Sequence, residues 1–143
     1  IYKSTNFTYT LPNGSTRTGA YILWPTMLYP YVKNLQLYAC PSTSLKWSGN
    51  YSGTHDYGYL SICSGQKLAD FDNPSETLAM YDVQVQAGFS NLYAPGVGTA
   101  ANNYLDSGFS DRHNGGSNCN FVDGHAKWLS QSAGLTNRDL WTL

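Results

Sequence analysis

Asp123-Gly124 stands between two strand-length runs, "SNCNFV" (117–122) and "HAKWLS" (125–130). An Asp-Gly pair so flanked is among the strongest short-range hairpin signals, because the two-residue type I′ turn needs positive φ at both central positions. An antiparallel hairpin over 117–130 is therefore expected, and it fixes the period of everything packed against it. The stretch around it, "RHNGGSNCNFVDGHAKWL" (112–129), also carries Arg112, His113, Cys119, Asp123 and His125. Chemistry is nowhere more concentrated in the chain.

The remaining sequence favours short strands and turns. Of 143 residues, 12 are Tyr, 4 Trp, 5 Phe and 14 Gly, and only 12% are charged. Aromatic residues suit a pleated surface, and one domain over 1–143 is long enough to bury a core. A net charge of −1 leaves neither a basic nucleic-acid face nor an acidic tail. Residues 1–20 turn at "LPNG" and read as a loose hairpin or extended arm, and 24–34 as a short helix interrupted by Pro30. "LQLYACPS" (35–42), "YGYLSIC" (57–63) and "TLAMYDVQV" (77–85) read as strands. The tail "LTNRDLWTL" (135–143) reads as a last helical turn or an edge strand. The start, "IYKSTNFTYT", lacks Met and is what a processed chain would show; no run of about 18 apolar residues follows. The expected class is α+β and β-rich, with a small antiparallel sheet, a C-terminal hairpin and long loops.

Three blocks occur in order: "LWPTMLYPYVKNLQLYACPS" (23–42), "DNPSETLAMYD" (72–82) and "RHNGGSNCNFVDGHAKWL" (112–129). Together they resemble the globular domain of a bacterial type IV pilin-like or type II secretion pseudopilin-like family. That family is named for a C-terminal signature of His, nine residues and Asp-Gly, matched here by His113 and Asp123-Gly124. The resemblance implies a pilin-like fold whose N-terminal spine helix is missing or reduced to a stub. It implies an extracellular or cell-surface bacterial structural subunit without catalysis. Its partners would be other pilin-like subunits in a filament or pseudopilus, and the membrane would be reached only through the absent N-terminal helix. It also implies calcium as a candidate cofactor, since secretion subunits of this kind bind it in a C-terminal loop. Asp106 and Asp111, with Asp123, are the candidate ligands, helped by Ser107, Ser110 and Asn114.

Residue chemistry sets the alternatives. His113 with Asp123 could form a general-base pair, but no nucleophile motif accompanies it, and Cys119 lies in an alternating run that faces a core. The structural reading makes Arg112, His113, Asp123 and Gly124 the polar lock of the hairpin, with Asp82 available to pair with Arg112 or His113. Cys40, Cys63 and Cys119 match no zinc spacing. Two arrangements stay open for them, a Cys40–Cys63 disulfide with Cys119 buried, or free thiols. His113 and His125 are disfavoured as soft-metal ligands, because nothing else in the sequence completes a third and fourth ligand. Tyr51, Tyr57, Tyr59, Tyr93 and Tyr104 lie in Gly/Ser/Asn-rich stretches, which makes a secreted carbohydrate-binding or calcium-stabilised adhesion module the alternative, with surface glycans as ligands. Sequons at Asn6, Asn13 and Asn50 bear on glycosylation only in a eukaryotic secretory context. If calcium is coupled to the fold, the melting temperature will rise between excess EGTA and millimolar Ca²⁺; an unchanged value will leave the polar hairpin as scaffolding.

Overall fold

Burial alternates along 117–121: Ser117, Cys119 and Phe121 are buried while Asn118 and Asn120 are exposed. That period of two forces one face of the segment onto a core and leaves the other to polar chemistry. In the computed structural model, which describes residues 2–11, 13–22, 24–43, 56–83, 91–92, 109–137 and 139–142, the segment is the sixth of seven strands. In chain order these are β1 (Tyr2–Thr10), β2 (Thr16–Tyr21), β3 (Tyr57–Leu60), β4 (Leu78–Asp82), β5 (Asn91–Leu92), β6 (Gly116–Phe121) and β7 (Ala126–Ser130). Two α-helices, α1 (Trp24–Val32) and α2 (Gln131–Thr136), and short 3-10 turns complete an α+β, β-rich fold.

The strands form two sheets. β1 and β2 make an antiparallel ribbon, and five strands follow the order β5-β3-β4-β6-β7, antiparallel except for the short β3–β5 pair. Tyr81 of β4 faces Cys119 of β6, so both point into the core. Leu60, Leu78, Val83, Phe109, Phe121, Leu140 and Trp141 fill the rest of it. Phe109 stacks on Tyr81 at 5.1 Å, and Trp141 meets Tyr81 edge-on at 5.3 Å. The Trp141 indole donates to the Gly134 carbonyl at 2.9 Å, which satisfies its one polar atom in an apolar setting. Each such buried side chain contributes about 1.5–3 kcal/mol, and the C-terminal residues thereby seal the apolar face. The tail is thus helical, with α2 followed by a 3-10 turn at Asp139–Trp141.

Two expectations from the sequence are corrected. Residues 35–42 are not a strand: Leu35–Tyr38 is a 3-10 turn, started by Asn34, whose side chain accepts from the Gln36 amide at 2.9 Å. The β6–β7 connection is not type I′ either. The Gly124 amide donates to the Phe121 carbonyl at 2.9 Å, the Phe121 amide to the His125 carbonyl at 2.9 Å, and Gly124 has φ of +94° while Asp123 does not enter positive φ. This is a type I turn closed by a left-handed glycine bulge. The β1–β2 connection repeats it: Gly14 donates to Leu11, Leu11 donates to Ser15, and Gly14 has φ of +85°. The Asx side chain before each glycine accepts from the amide two residues on, Asn13 from Ser15 and Asp123 from His125, each at 3.1 Å. One chemical device thus closes both hairpins.

Val83, just past β4, and Phe109 pair in an antiparallel bridge, with the Ser110 amide donating to the Asp82 carbonyl at 3.1 Å. Gly116, just beyond, sits against the Leu129 carbonyl and the Trp128 indole, and a Cβ there would overlap both. Thermal denaturation should therefore show Gly116→Ala costing more than about 2 kcal/mol through backbone displacement. Gly14→Ala and Gly124→Ala, with open space around them but left-handed φ, should each cost about 1 kcal/mol.

Candidate functional site

The face of β4 and β6 opposite the core would expose a carboxylate at Asp82 if nothing covered it. Asp82 ends β4, one residue past the core-facing Tyr81, and is only 1% exposed. Two loops cover it. One follows the 3-10 turn and carries Cys40 and Thr43; the other precedes β6 and carries Arg112 and His113. Asp82 Oδ2 accepts from the Asn118 amide at 2.7 Å and from the Asn118 side chain at 3.2 Å, which fixes the carboxylate against β6. Its Oδ1 is buried and has no hydrogen-bond partner among the described residues. Such an orphaned buried oxygen costs about 1–3 kcal/mol or more.

His113 Nε2 lies 3.4 Å from Asp82 Oδ2 and 3.5 Å from Cys40 Sγ. The three ligand-type atoms all fall within 4.8 Å of one another, with Cys40 and Asp82 buried and His113 a quarter exposed. The ring is held from behind: the His113 amide donates to the Gly116 carbonyl at 3.1 Å, and the Trp128 indole donates to the His113 carbonyl at 2.7 Å. Asn114 and Gly115, both at positive φ, turn the chain back so that this closure is met.

Beside this cluster lies an ion pair. Arg112 donates to Asp56 at 3.3 Å, to the Ser110 hydroxyl at 2.8 Å through Nε, and to the Val83 carbonyl. Asp56, 2% exposed, also accepts from the Cys40 amide at 2.8 Å and the Thr43 hydroxyl at 2.9 Å. Cys40 is therefore placed by Asp56 and the histidine loop by Arg112. Tyr57, paired with Asp82 across β3 and β4, borders the same centre. Burial pushes its hydroxyl up to about 12, with Cys40, Asp82 and Asp56 adding to the rise and Arg112 opposing it.

The arrangement differs from a nucleophile relay. A Cys-His-Asp relay uses the two ring nitrogens for its two partners, whereas here Nε2 alone meets both sulfur and carboxylate. Cys119 is buried in the core, its thiol pushed up to about 12 by burial and then by Asp82.

Several residues expected to act together do not. His113 and Asp123 stand at opposite ends of β6, whose six residues at about 3.3 Å each separate them by on the order of 20 Å. Asp123 instead holds His125, at 2.7 Å to Nδ1, and His125 stacks on Phe121 with ring centroids 4.2 Å apart. For the same reason the exposed Asp111 and Asp123 cannot share one calcium, and Asp106 lies outside the described residues. These two carboxylates therefore do not fit a common calcium site. Asp82 pairs with His113, and Arg112 takes Asp56 rather than Asp82. The Cys40–Cys63 bridge does not form: all three thiols are free, Cys40 facing His113 and Cys63 donating to the Leu78 carbonyl at 3.5 Å. Tyr57 and Tyr59 are half-buried in β3, while Tyr51, Tyr93 and Tyr104 lie outside the described residues. Asp56 is the site residue that sequence reasoning missed, and Cys40 was expected only as half of a disulfide or as a free thiol. No local pattern marks either, although Cys40-Pro41 belongs to the first of the three blocks. Family models, curated proteins and solved structures were each compared with the chain, and none matches.

Arg112→Ala should lower stability by about 3 kcal/mol in chemical denaturation, because it leaves Asp56 buried without its cation. A double-mutant cycle with Asp56→Asn should recover part of that loss as coupling. Asp123 is held below its ordinary 3.8 by the His125 amide and ring. Its contribution is intact above that value and is lost as pH falls through the lower folded one, so Asp123→Asn should flatten the acid limb of the stability curve.

Proposed function

We propose that this chain is the globular domain of an extracellular structural subunit of the pilin-like or pseudopilin-like kind, which assembles with copies of itself or related subunits into a filament or secretion pseudopilus. One observation carries the reading. The three blocks that resemble that family, at 23–42, 72–82 and 112–129, each send one residue to the same buried cluster: Cys40, Asp82 and His113. Their convergence is what a resemblance at the level of the whole domain predicts.

The physical role follows from the same contacts. Arg112 and His113 tie the loop before β6 to β4 and to the 40–43 loop, so the polar residues of the signature hold segments together. A subunit under tension in a filament gains from such cross-ties, because separate parts of the chain then bear load together. No helix among the described residues is long and apolar enough to cross a membrane.

The test is made in cells that produce the protein. Shearing should release it into the sedimentable filament fraction, and antibody against it should decorate filaments along their length in electron microscopy. Recovery solely as a monomer in the supernatant or lysate would overturn the reading.

A further inference from the structure

We propose that Cys40, Asp82 and His113 form a binding site for a single borderline-soft divalent cation of the Zn²⁺ class. The inference stands on the geometry of the cluster and does not depend on filament assembly. Zinc bond lengths of about 2.3 Å to sulfur and 2.0–2.2 Å to nitrogen and oxygen place tetrahedral ligands about 3.5 Å apart for sulfur and nitrogen and about 3.3 Å apart for nitrogen and oxygen. The observed separations are 3.5 Å from Cys40 Sγ to His113 Nε2 and 3.4 Å from His113 Nε2 to Asp82 Oδ2. The shared Nε2, which does not suit a proton relay, is what two edges of a coordination tetrahedron require.

Asp82 is almost wholly buried; the oxygen facing His113, Oδ2, accepts twice from Asn118, and Oδ1 has no hydrogen-bond partner among the described residues. A cation held at Oδ2 balances the charge of the buried carboxylate and leaves Oδ1 without a hydrogen-bond partner. The donor set selects the metal: sulfur and imidazole suit zinc, cobalt or copper and are poor ligands for the oxygen-seeking Ca²⁺ and Mg²⁺. On binding, the Cys40 thiol releases its proton to solvent and its sulfur forms the metal bond. Thiolate and carboxylate together then balance the dication.

The ligands are held in advance. Asp56 grips the Cys40 amide, Asn118 grips Asp82 Oδ2 twice, and Trp128 grips the His113 carbonyl. The two buried ligands lie behind the part-exposed His113, so the ion enters past the imidazole, and water takes the fourth position. Bound metal would clasp the 40–43 loop, the end of β4 and the loop before β6 at one point.

The full chain, stripped with chelator under reducing conditions, is titrated with Co²⁺ and then Zn²⁺. One equivalent of Co²⁺ should produce a thiolate-to-cobalt charge-transfer band that Zn²⁺ removes. Zn²⁺ should also raise the melting temperature, whereas Ca²⁺ should not. Cys40→Ser should abolish the band and Cys63→Ser should preserve it. Asn118→Ala, which leaves all three ligands in place, should keep the band and weaken affinity about tenfold or more through loss of Asp82 orientation. Absence of the band in the wild-type chain would overturn the proposal whether or not any variant folds. So would a band that survives Cys40→Ser, or one lost in Cys63→Ser.

Discussion

A carboxylate sealed from water at the end of β4 organises this fold. Asp82 cannot be ionised and buried at tolerable cost unless neighbours compensate it. The compensation recruits distant parts of the chain: Asn118 from β6 through two bonds and His113 from the preceding loop. Its own carbonyl accepts from the Ser110 amide and the Ser117 hydroxyl, both at 3.1 Å. One residue therefore sets where the chain returns to the sheet, which strand lies beside β4, and where the histidine loop must rest. The apolar face supplies most of the free energy, but hydrophobic packing is non-directional, and it is the polar face that chooses among arrangements.

Arg112 completes that choice in a way lysine could not. Its guanidinium reaches three acceptors in three segments, Asp56, the Ser110 hydroxyl and the Val83 carbonyl. A planar fork meets fixed acceptors in several directions at once, whereas an ammonium is a point charge on a flexible stem. Asp56 in turn accepts from Cys40 and Thr43. The ion pair and the Cys-His-Asp cluster are thus two halves of one construction, joined through the backbone of Cys40.

Features written in local chemistry could be read from the sequence. The Asp-Gly pair announced the β6–β7 hairpin, because a left-handed glycine is a short-range requirement, and Asn13-Gly14 decided between a hairpin and an extended arm at the N-terminus in favour of the hairpin, although the turn is a type I bulge rather than type I′. The 77–85 run holds β4 at Leu78–Asp82 and the bridge residue Val83, while residues 84–85 lie outside the described residues. At 35–38 the apolar pattern suggested a strand, but the Asn34 cap favoured a 3-10 turn. The candidate site was half legible. Asp82 was read as a partner for either Arg112 or His113, and it takes His113, whereas Cys40 lies 73 residues from His113 and no spacing rule spans that distance. Turn-rich surroundings made Cys63 look like its partner, and adjacency in the signature made Asp123 look like the partner of His113. A six-residue strand between the last two decides otherwise.

The Val83–Phe109 bridge carries a consequence for how such a chain can diversify. Two segments far apart in sequence meet at that bridge, and the Ser110–Asp82 bond fixes their meeting from inside. Closure entropy grows slowly with loop length, so doubling the connection between the two bridge residues costs only about 0.6 kcal/mol. Descendants of this domain could therefore change the length of that connection and keep the Val83–Phe109 closure, provided that β5 within it still pairs with β3.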